Sequence, residues 1–171
     1  MPSKLASVSI RQGTPADIDS LVALHARVAE EGIHIATEAP VDSERSRASF
    51  EKTILGDAGA TLVAEADGEI VGTLGVVTGR YGFADIGMVV DEAWRGRGVG
   101  SALVAAAIDW ARGHGVHKLA LHVWPRNEAA LALYRKFGFE EEGLLRAHYR
   151  RRSGERWDAI VMGLLLDEEE G

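Results

Sequence analysis

The sequence predicts a mixed α/β domain in which a central sheet of about seven strands is flanked by four helices. Three observations carry that expectation. Apolar residues alternate between a two-residue and a helical period in the order β-α-α-β-β-β-α-β-α-β-β. Asp67-Gly68 joins two β-rich runs as a tight hairpin turn. Arg95-Gly96-Arg97-Gly98-Val99-Gly100 stands between an apolar strand-like stretch and an apolar-periodic helical one. With 171 residues, 46% of them hydrophobic, the chain fits one domain over 1–171, structured over about 6–166.

The elements follow in order. Ser7 to Gln12 alternates polar with apolar residues and reads as a first strand. Thr14 supplies an N-cap and Pro15 the first helical position, with Asp17 acidic in the first turn; Ile18, Leu21, Val22, His25 and Val28 then recur at helical spacing until Gly32. Ile33 to Asp42, containing Pro40, lacks periodicity and is a loop between helices, which makes it a candidate binding loop. Ser43 to Leu55 is a second helix with Phe50 and Ile54 facing inward. Thr61–Ala66 and Glu69–Thr78 are the hairpin strands, and Ala84–Val90 is the fourth strand, with Ile86, Met88 and Val90 on one face and Asp85, Gly87 and Val89 on the other.

A third helix opens after the glycines, carries Val99, Leu103, Ala106 and Trp110 as its apolar stripe and stops near Gly113 to Gly115. Lys118–Trp124 is the next strand. Asn127 caps a fourth helix lined by Ala130, Leu133, Tyr134 and Phe137 and ending at Gly138. Glu140–Arg151 and Arg156–Leu166 are strands joined through Ser153-Gly154-Glu155, and Asp167–Gly171 is an acidic tail.

Composition limits the chemistry. Acidic residues number 26 against 19 Lys and Arg, a formal net charge of -7, which argues against general binding to nucleic acid or anionic membranes. There is no cysteine, so disulfides, a thiol nucleophile and thiolate metal sites are excluded. The six histidines form no zinc spacing, and no metal is expected. No apolar run approaches about 18 residues, and Met1 to Leu5 lacks an apolar signal core; a cytoplasmic location is expected. Arg150-Arg151-Arg152, with Arg146 and Arg156, reads as a solvated strand or turn confined to one hairpin of an acidic chain.

The glycine junction is suited to phosphate. Glycines at 96, 98 and 100 let the backbone approach an anion, and the first N–H groups of a helix lack intrahelical partners while its N-terminus carries roughly +0.5 of a charge. A P-loop requires Lys then Ser or Thr after its last glycine, and Ser101-Ala102 follow Gly100 here. A dinucleotide fingerprint requires G-x-G-x-x-G, and these glycines run G-x-G-x-G.

This order of elements, with Arg95, Gly98 and Gly100 at the positions of an Arg/Gln-x-x-Gly-x-Gly/Ala signature, resembles the GCN5-related N-acetyltransferase superfamily. Asn127 and Tyr134-Arg-Lys-Phe-Gly-Phe139 resemble its downstream Asn and Tyr-x-x-x-Gly-Phe element. The resemblance covers nearly the whole chain. It implies a mixed, mostly antiparallel sheet splayed between strands 4 and 5, with acetyl-CoA in the wedge. It places Met88, Val89 and Val90 beside the pantetheine and the backbone of Arg95, Gly96, Arg97, Gly98, Val99, Gly100 and Ser101 around the pyrophosphate, with Asn127 in the same cofactor-binding set. Arg95 and Arg97 can add charge-assisted bonds.

Acetyl transfer needs a neutral amine, stabilisation of a developing oxyanion and a proton for the departing thiolate. Without cysteine, direct attack by the amine is the simplest route, with a backbone N–H of Met88 to Val90 serving the oxyanion. The resemblance makes Tyr134 the acid; its ordinary pKa of roughly 10 exceeds a thiol's 8.5. The base is Asp85, early on the fourth strand, Glu38 in the loop beside His34, or water. A lysine-like amine is only about one part in two thousand neutral at pH 7, an α-amine about a tenth, so the need for a base depends on the acceptor. The expected function is acetyl-CoA-dependent N-acetylation of a small-molecule amine or amino acid, with no nucleic-acid or membrane partner. Protein N-terminal or lysine acetylation and a non-catalytic acyl-CoA-binding module are the alternatives, and by resemblance a homodimer is expected. Trp124 and Trp157 flank an apolar acceptor in this reading.

Overall fold

The computed structural model describes residues 7–167; residue 6, where the structured part is expected to begin, and residues 168–171 of the acidic tail lie outside them. The elements are β1 (Ser9–Gln12), α1 (Ile18–Glu31), α2 (Ser43–Ile54), β2 (Gly59–Ala66), β3 (Glu69–Thr78), β4 (Phe83–Val90), α3 (Val99–Gly113), β5 (Lys118–Val123), α4 (Glu128–Lys136), β6 (Glu140–Arg150) and β7 (Arg156–Leu165). Short 3-10 turns at Pro15–Asp17 and Glu92–Trp94 precede α1 and α3. Each predicted helix and strand is present, in the predicted order.

Local chemistry explains the boundaries. The 3-10 turn before α1 is held by a capping box between Thr14 and Asp17, and α1 ends at Gly32 in the left-handed conformation. Asp67 (φ 51°) and Gly68 (φ 80°) both take the positive φ of a two-residue hairpin turn whose twist matches the strands it joins. Asp42 accepts from the N–H of Arg45 to cap α2, and Asn127 accepts from the N–H of Ala130 to cap α4.

The seven strands form one sheet in the order β1-β2-β3-β4-β5-β7-β6, antiparallel throughout except for β4 beside β5. One face carries Leu62, Ala64, Leu74, Val76, Ala84, Ile86, Leu119 and Met162 against α3 and α4. The alternate residues Val63 and Thr73 turn to the other face, which α1 and α2 cover. Fully burying a leucine such as Leu74 or Leu103 contributes roughly 1.5 to 3 kcal/mol, so this layer dominates the stability.

Two helical faces differ from expectation. The buried stripe of α3 runs through Val99, Leu103, Val104, Ala107, Ile108 and Ala111, leaving Ala106 and Trp110 half-buried at its margin, because the helix lies centred over β2–β4. In α2 the buried residue is Ser46, which pairs with His25 of α1 at 3.2 Å, while Phe50 and Ile54 are half-buried. That helix packs at the rim of the sheet, where a small polar residue permits close approach to α1.

Candidate active site

The parallel pairing of β4 with β5 is short. Phe83, Ala84 and Asp85 pair with Lys118, Leu119 and Ala120, and the two strands then part. Ile86 to Val90 remain bonded to β3 on one side and have no strand on the other, while β5 continues against β7. Backbone polar groups in such an opening require partners. A cavity of about 490 Å³ fills the wedge, lined by Ile86–Val90, the Arg95–Ser101 turn except Arg97, Asn127 and the face of α4 that carries Leu133 and Tyr134.

The turn at the end of β4 is shaped by two left-handed glycines, Gly96 (φ 71°) and Gly98 (φ 84°), with Gly98 at the N-cap of α3. This bends the chain so that the first N–H groups of a 15-residue helix face the cavity. A Cβ on Gly100 would lie 3.1 Å from Leu133 Cδ2 and 3.3 Å from Met88 Cε, so glycine there allows α3, α4 and β4 to converge at the cavity floor.

The Arg95 guanidinium is committed within the protein. It donates to both carboxylate oxygens of Glu31, at 2.6 and 2.7 Å, and its Nε donates to the carbonyl of Val90 at 3.1 Å. This bidentate pair ties the last turn of α1 to the glycine turn and holds the Glu31 carboxyl below its ordinary range. Arg95 Nη1 also lies 3.1 Å from His34 Nε2; arginine can only donate, so that nitrogen accepts and the ring proton sits on Nδ1. Burial and the neighbouring guanidinium both lower the His34 pKa. The expected charge-assisted bond from Arg95 to phosphate therefore gives way to a structural strut at the edge of the cavity, which Arg95 and His34 both line. Arg97 is turned onto the Trp94 ring, 5.1 Å from its centroid, and does not line the cavity.

Tyr134 is 7% exposed and its ring meets Phe139 edge-on. Among the described residues nothing hydrogen-bonds its hydroxyl, and burial pushes its pKa up to about 12. The group is thus a retained proton facing a cavity. Asn127 lines the same cavity while its side-chain oxygen is occupied by the α4 cap.

At the other end, the loop after α1 and the β6–β7 hairpin clasp each other. Arg151 is 5% exposed rather than solvated: it donates to the carbonyls of Ala36 (2.9 Å) and Gly32 (3.5 Å), and lies 4.1 Å above the Trp157 ring. Arg152 donates to the Ala39 and Pro40 carbonyls. Glu38, an expected base, accepts from the backbone N–H of Arg152 at 2.9 Å and pairs with Arg151 Nε at 3.5 Å; it is a member of this clasp and does not line the cavity. Asp85, the other expected base, is exposed at the last β4–β5 pair, below the point where the wedge opens, and also lies outside the cavity.

The β5–β6 side of the cavity holds residues that motif spacing did not single out for chemistry. His122 of β5 lines it together with Tyr149 of β6, and His122 Nδ1 is 2.8 Å from the Tyr149 hydroxyl. Trp124 stacks edge-on against Tyr149 (4.8 Å) and Trp157 (5.3 Å) and separates this cavity from a second one of about 480 Å³ bounded by Ile33, Arg126, Arg156 and Trp157. The detectable signal for His122 was its place on the exposed phase of an otherwise apolar strand, two residues from Trp124. Among the described residues no group of three His, Asp or Glu is arranged to hold a metal ion, and no helix is long and apolar enough to cross a membrane.

Comparison with known proteins agrees with this geometry. The sequence profile of the Acetyltransferase (GNAT) family matches residues 26–139. An L-amino acid N-acetyltransferase of Escherichia coli K12 is 39% identical over 109 residues, which are 59% of this chain and 65% of that enzyme. An L-methionine sulfoximine/L-methionine sulfone acetyltransferase of Pseudomonas paraeruginosa is 28% identical over 94% of this chain and 96% of its own. The crystal structure of a ribosomal-protein-alanine N-acetyltransferase from Brucella melitensis superposes with a TM-score of 0.85 at 31% identity, covering 92% of this chain and 99% of that one.

Proposed function

Because the chain belongs to the GNAT acetyltransferase family and is an acetyl-CoA-dependent N-acetyltransferase, we propose that its acceptor is the α-amine of a small amino acid or a close analogue. The observation that carries this reading is the loop after α1, which Arg151 and Arg152 hold through the carbonyls of Gly32, Ala36, Ala39 and Pro40 and whose residues His34, Ile35 and Ala36 line the cavity. A space of about 490 Å³ bordered by that loop, and shared with the donor, suits a small molecule. The names of the E. coli and Pseudomonas relatives point to the same class of acceptor.

The residues of the wedge suit the donor. The unpaired edge of Ile86 to Val90 offers N–H and C=O groups to the amides of a pantetheine arm, and the N–H groups from Gly96 to Ser101 suit a pyrophosphate at the start of α3. Acetyl-CoA supplies a thioester carbonyl open to attack. A backbone N–H of Met88 to Val90 takes the charge that develops on its oxygen. Tyr134, kept protonated by burial, gives its proton to the departing sulfur.

A thiol-release assay with acetyl-CoA and a panel of L-methionine sulfone, standard amino acids, a polyamine and a peptide with a free N-terminal alanine tests the proposal. The amino acids and sulfone should give the highest kcat/KM. Preference for the peptide or the polyamine by tenfold or more would overturn it.

A further inference from the structure

We propose that His122, oriented by Tyr149, is the base that takes the proton from the acceptor amine. The inference rests on the α-amine reading above and assigns a residue to a step which neither Asp85 nor Glu38 is placed to perform.

The argument begins with register. Asp85 and Ala120 form the last pair before β4 and β5 part, and Leu119, Leu121 and Val123 of β5 are buried in the core beneath α3 and α4. His122 therefore stands on the opposite face, one alternation step beyond the last pair, at the mouth of the wedge. Across the gap, Gly87 of β4 contributes no side chain, leaving room between the imidazole and the strand edge. On its other side His122 pairs with Val161 of β7, which carries no charge. The imidazole and the Tyr134 hydroxyl thus line one cavity from different walls, where an acceptor amine and a leaving sulfur have to be served on opposite sides of one carbon.

Tyr149 orients the ring, and the base form is the tautomer that carries its proton on Nδ1. When His122 Nδ1–H donates to the Tyr149 oxygen at 2.8 Å, the lone pair of Nε2 is left for the substrate, and the same hydrogen bond persists when the ring becomes an imidazolium. Burial raises the Tyr149 pKa, so the phenol remains neutral while its neighbour cycles. Trp124 packs on Tyr149 edge-on and fixes its ring. The other ionisable groups on this side are His148 of β6, whose ring is 5.9 Å from His122, His34 of the loop after α1, with Nε2 facing Arg95, Tyr134 of α4, and Asp85 of β4 at the closed end of the wedge.

The protons balance. The ammonium form of the acceptor loses one proton to His122 Nε2, and its nitrogen then forms the C–N bond as the C–S bond breaks. The sulfur takes the Tyr134 proton, the second nitrogen proton restores Tyr134, and His122 returns its proton to water. One proton is released per amide formed. An α-amine, ordinarily near 8, gives up its proton to a side-chain base more readily than a lysine-like amine near 10.4, which links this residue to the acceptor class.

The test uses the full chain, acetyl-CoA and L-methionine sulfone, with thiol release followed from pH 5.5 to 9.5. His122→Ala should lower kcat/KM at pH 7 roughly 10²-fold. Its acidic limb should move up to the range of the amine itself, so that much of the loss is regained at high pH. His122→Gln, which keeps a polar side chain of similar reach, should behave alike, and calorimetry should give both variants the wild-type affinity for acetyl-CoA. Tyr149→Phe should displace the limb with a smaller fall in kcat. An unmoved acidic limb in His122→Ala and His122→Gln, or a limb that moves only in His34→Ala, overturns the assignment. If the wild type turns over only the polyamine or the peptide, the α-amine reading and this inference fall together; wild-type turnover of the sulfone with an unmoved limb defeats this inference alone.

Discussion

Replacing Gly98 by alanine tests whether the glycine turn serves the donor or only the fold. Gly98 has φ 84° and ψ 5°, a conformation that costs an L side chain about 1 to 2 kcal/mol, which for a chain of this size lowers Tm by roughly 2 to 8 °C. A Cβ there meets no protein atom within 4 Å, and the residue lines the cavity, so the methyl group enters the space assigned to the pyrophosphate. Losing one hydrogen bond to a charged oxygen there costs about 1.5 to 3 kcal/mol, or roughly 10- to 150-fold in Kd. Gly115 provides the control: it has φ 69°, its Cβ position is equally open, and it lies outside the cavity at the far end of α3. Gly98→Ala and Gly115→Ala should lose similar Tm in thermal melts, while only the former weakens acetyl-CoA binding in titration calorimetry. Gly98→Leu should weaken it further. A Kd for Gly98→Leu within twofold of wild type would refute the placement of the donor phosphates at this turn.

Tyr134→Phe removes the proton and keeps the ring against Phe139, so kcat should fall roughly 10²- to 10⁴-fold with acetyl-CoA affinity nearly unchanged; an unaltered kcat in steady-state assays contradicts the acid role. Because burial lifts Tyr134 to about 12, wild-type kcat should show no basic limb from this group below pH 10. Arg151→Ala opens the clasp between two loops, so KM for the acceptor should rise at least tenfold in the thiol-release assay while the Kd for acetyl-CoA holds; Arg151→Lys, which cannot span both carbonyls and the indole, should rescue little. The Arg11 guanidinium and Thr14 hold Asp17 down to about 2, below its ordinary 3.8. Its contribution to stability is present above the ordinary value and is lost as pH falls through about 2. Asp17→Asn should therefore destabilise the protein at pH 6 and converge with wild type near pH 2 in denaturant melts.

The parts of the molecule legible in its sequence are those fixed over a few residues. The Asp67-Gly68 hairpin, the Thr14–Asp17 cap, the Asn127 cap and the glycine turn before α3 each need only local backbone chemistry, and each stands where it was read, while the left-handed conformation of Gly96 and Gly98 is seen in the structure alone. The acceptor end was opaque for the opposite reason. Arg151 reaches Ala36 across 115 positions, and its burial depends on how the β6–β7 hairpin folds over the loop after α1. Composition therefore presented a run of arginines as solvated. Glu38 and Asp85 were reasonable bases by position in chain order, yet the clasp occupies one and the last β4–β5 pair excludes the other from the cavity. The meeting of His122 with Tyr149 required the order β5-β7-β6, which places a strand between them in space and one helix between them in sequence.

The strut between Arg95 and Glu31 has a consequence for the ionic-strength dependence of donor binding. With the guanidinium neutralised by a carboxylate 2.6 Å away and Arg97 turned onto Trp94, the attraction at the turn is delivered by peptide dipoles at the start of α3 together with Lys136, whose Nζ donates to Ser101 Oγ at 3.2 Å. Dipoles seated within a cavity are screened less than exposed charges at the roughly 8 Å Debye length of physiological salt. The Kd for acetyl-CoA should therefore rise less between dilute buffer and about 0.5 M salt than that of a site built wholly from free lysines and arginines, and Lys136→Ala should flatten the remaining dependence.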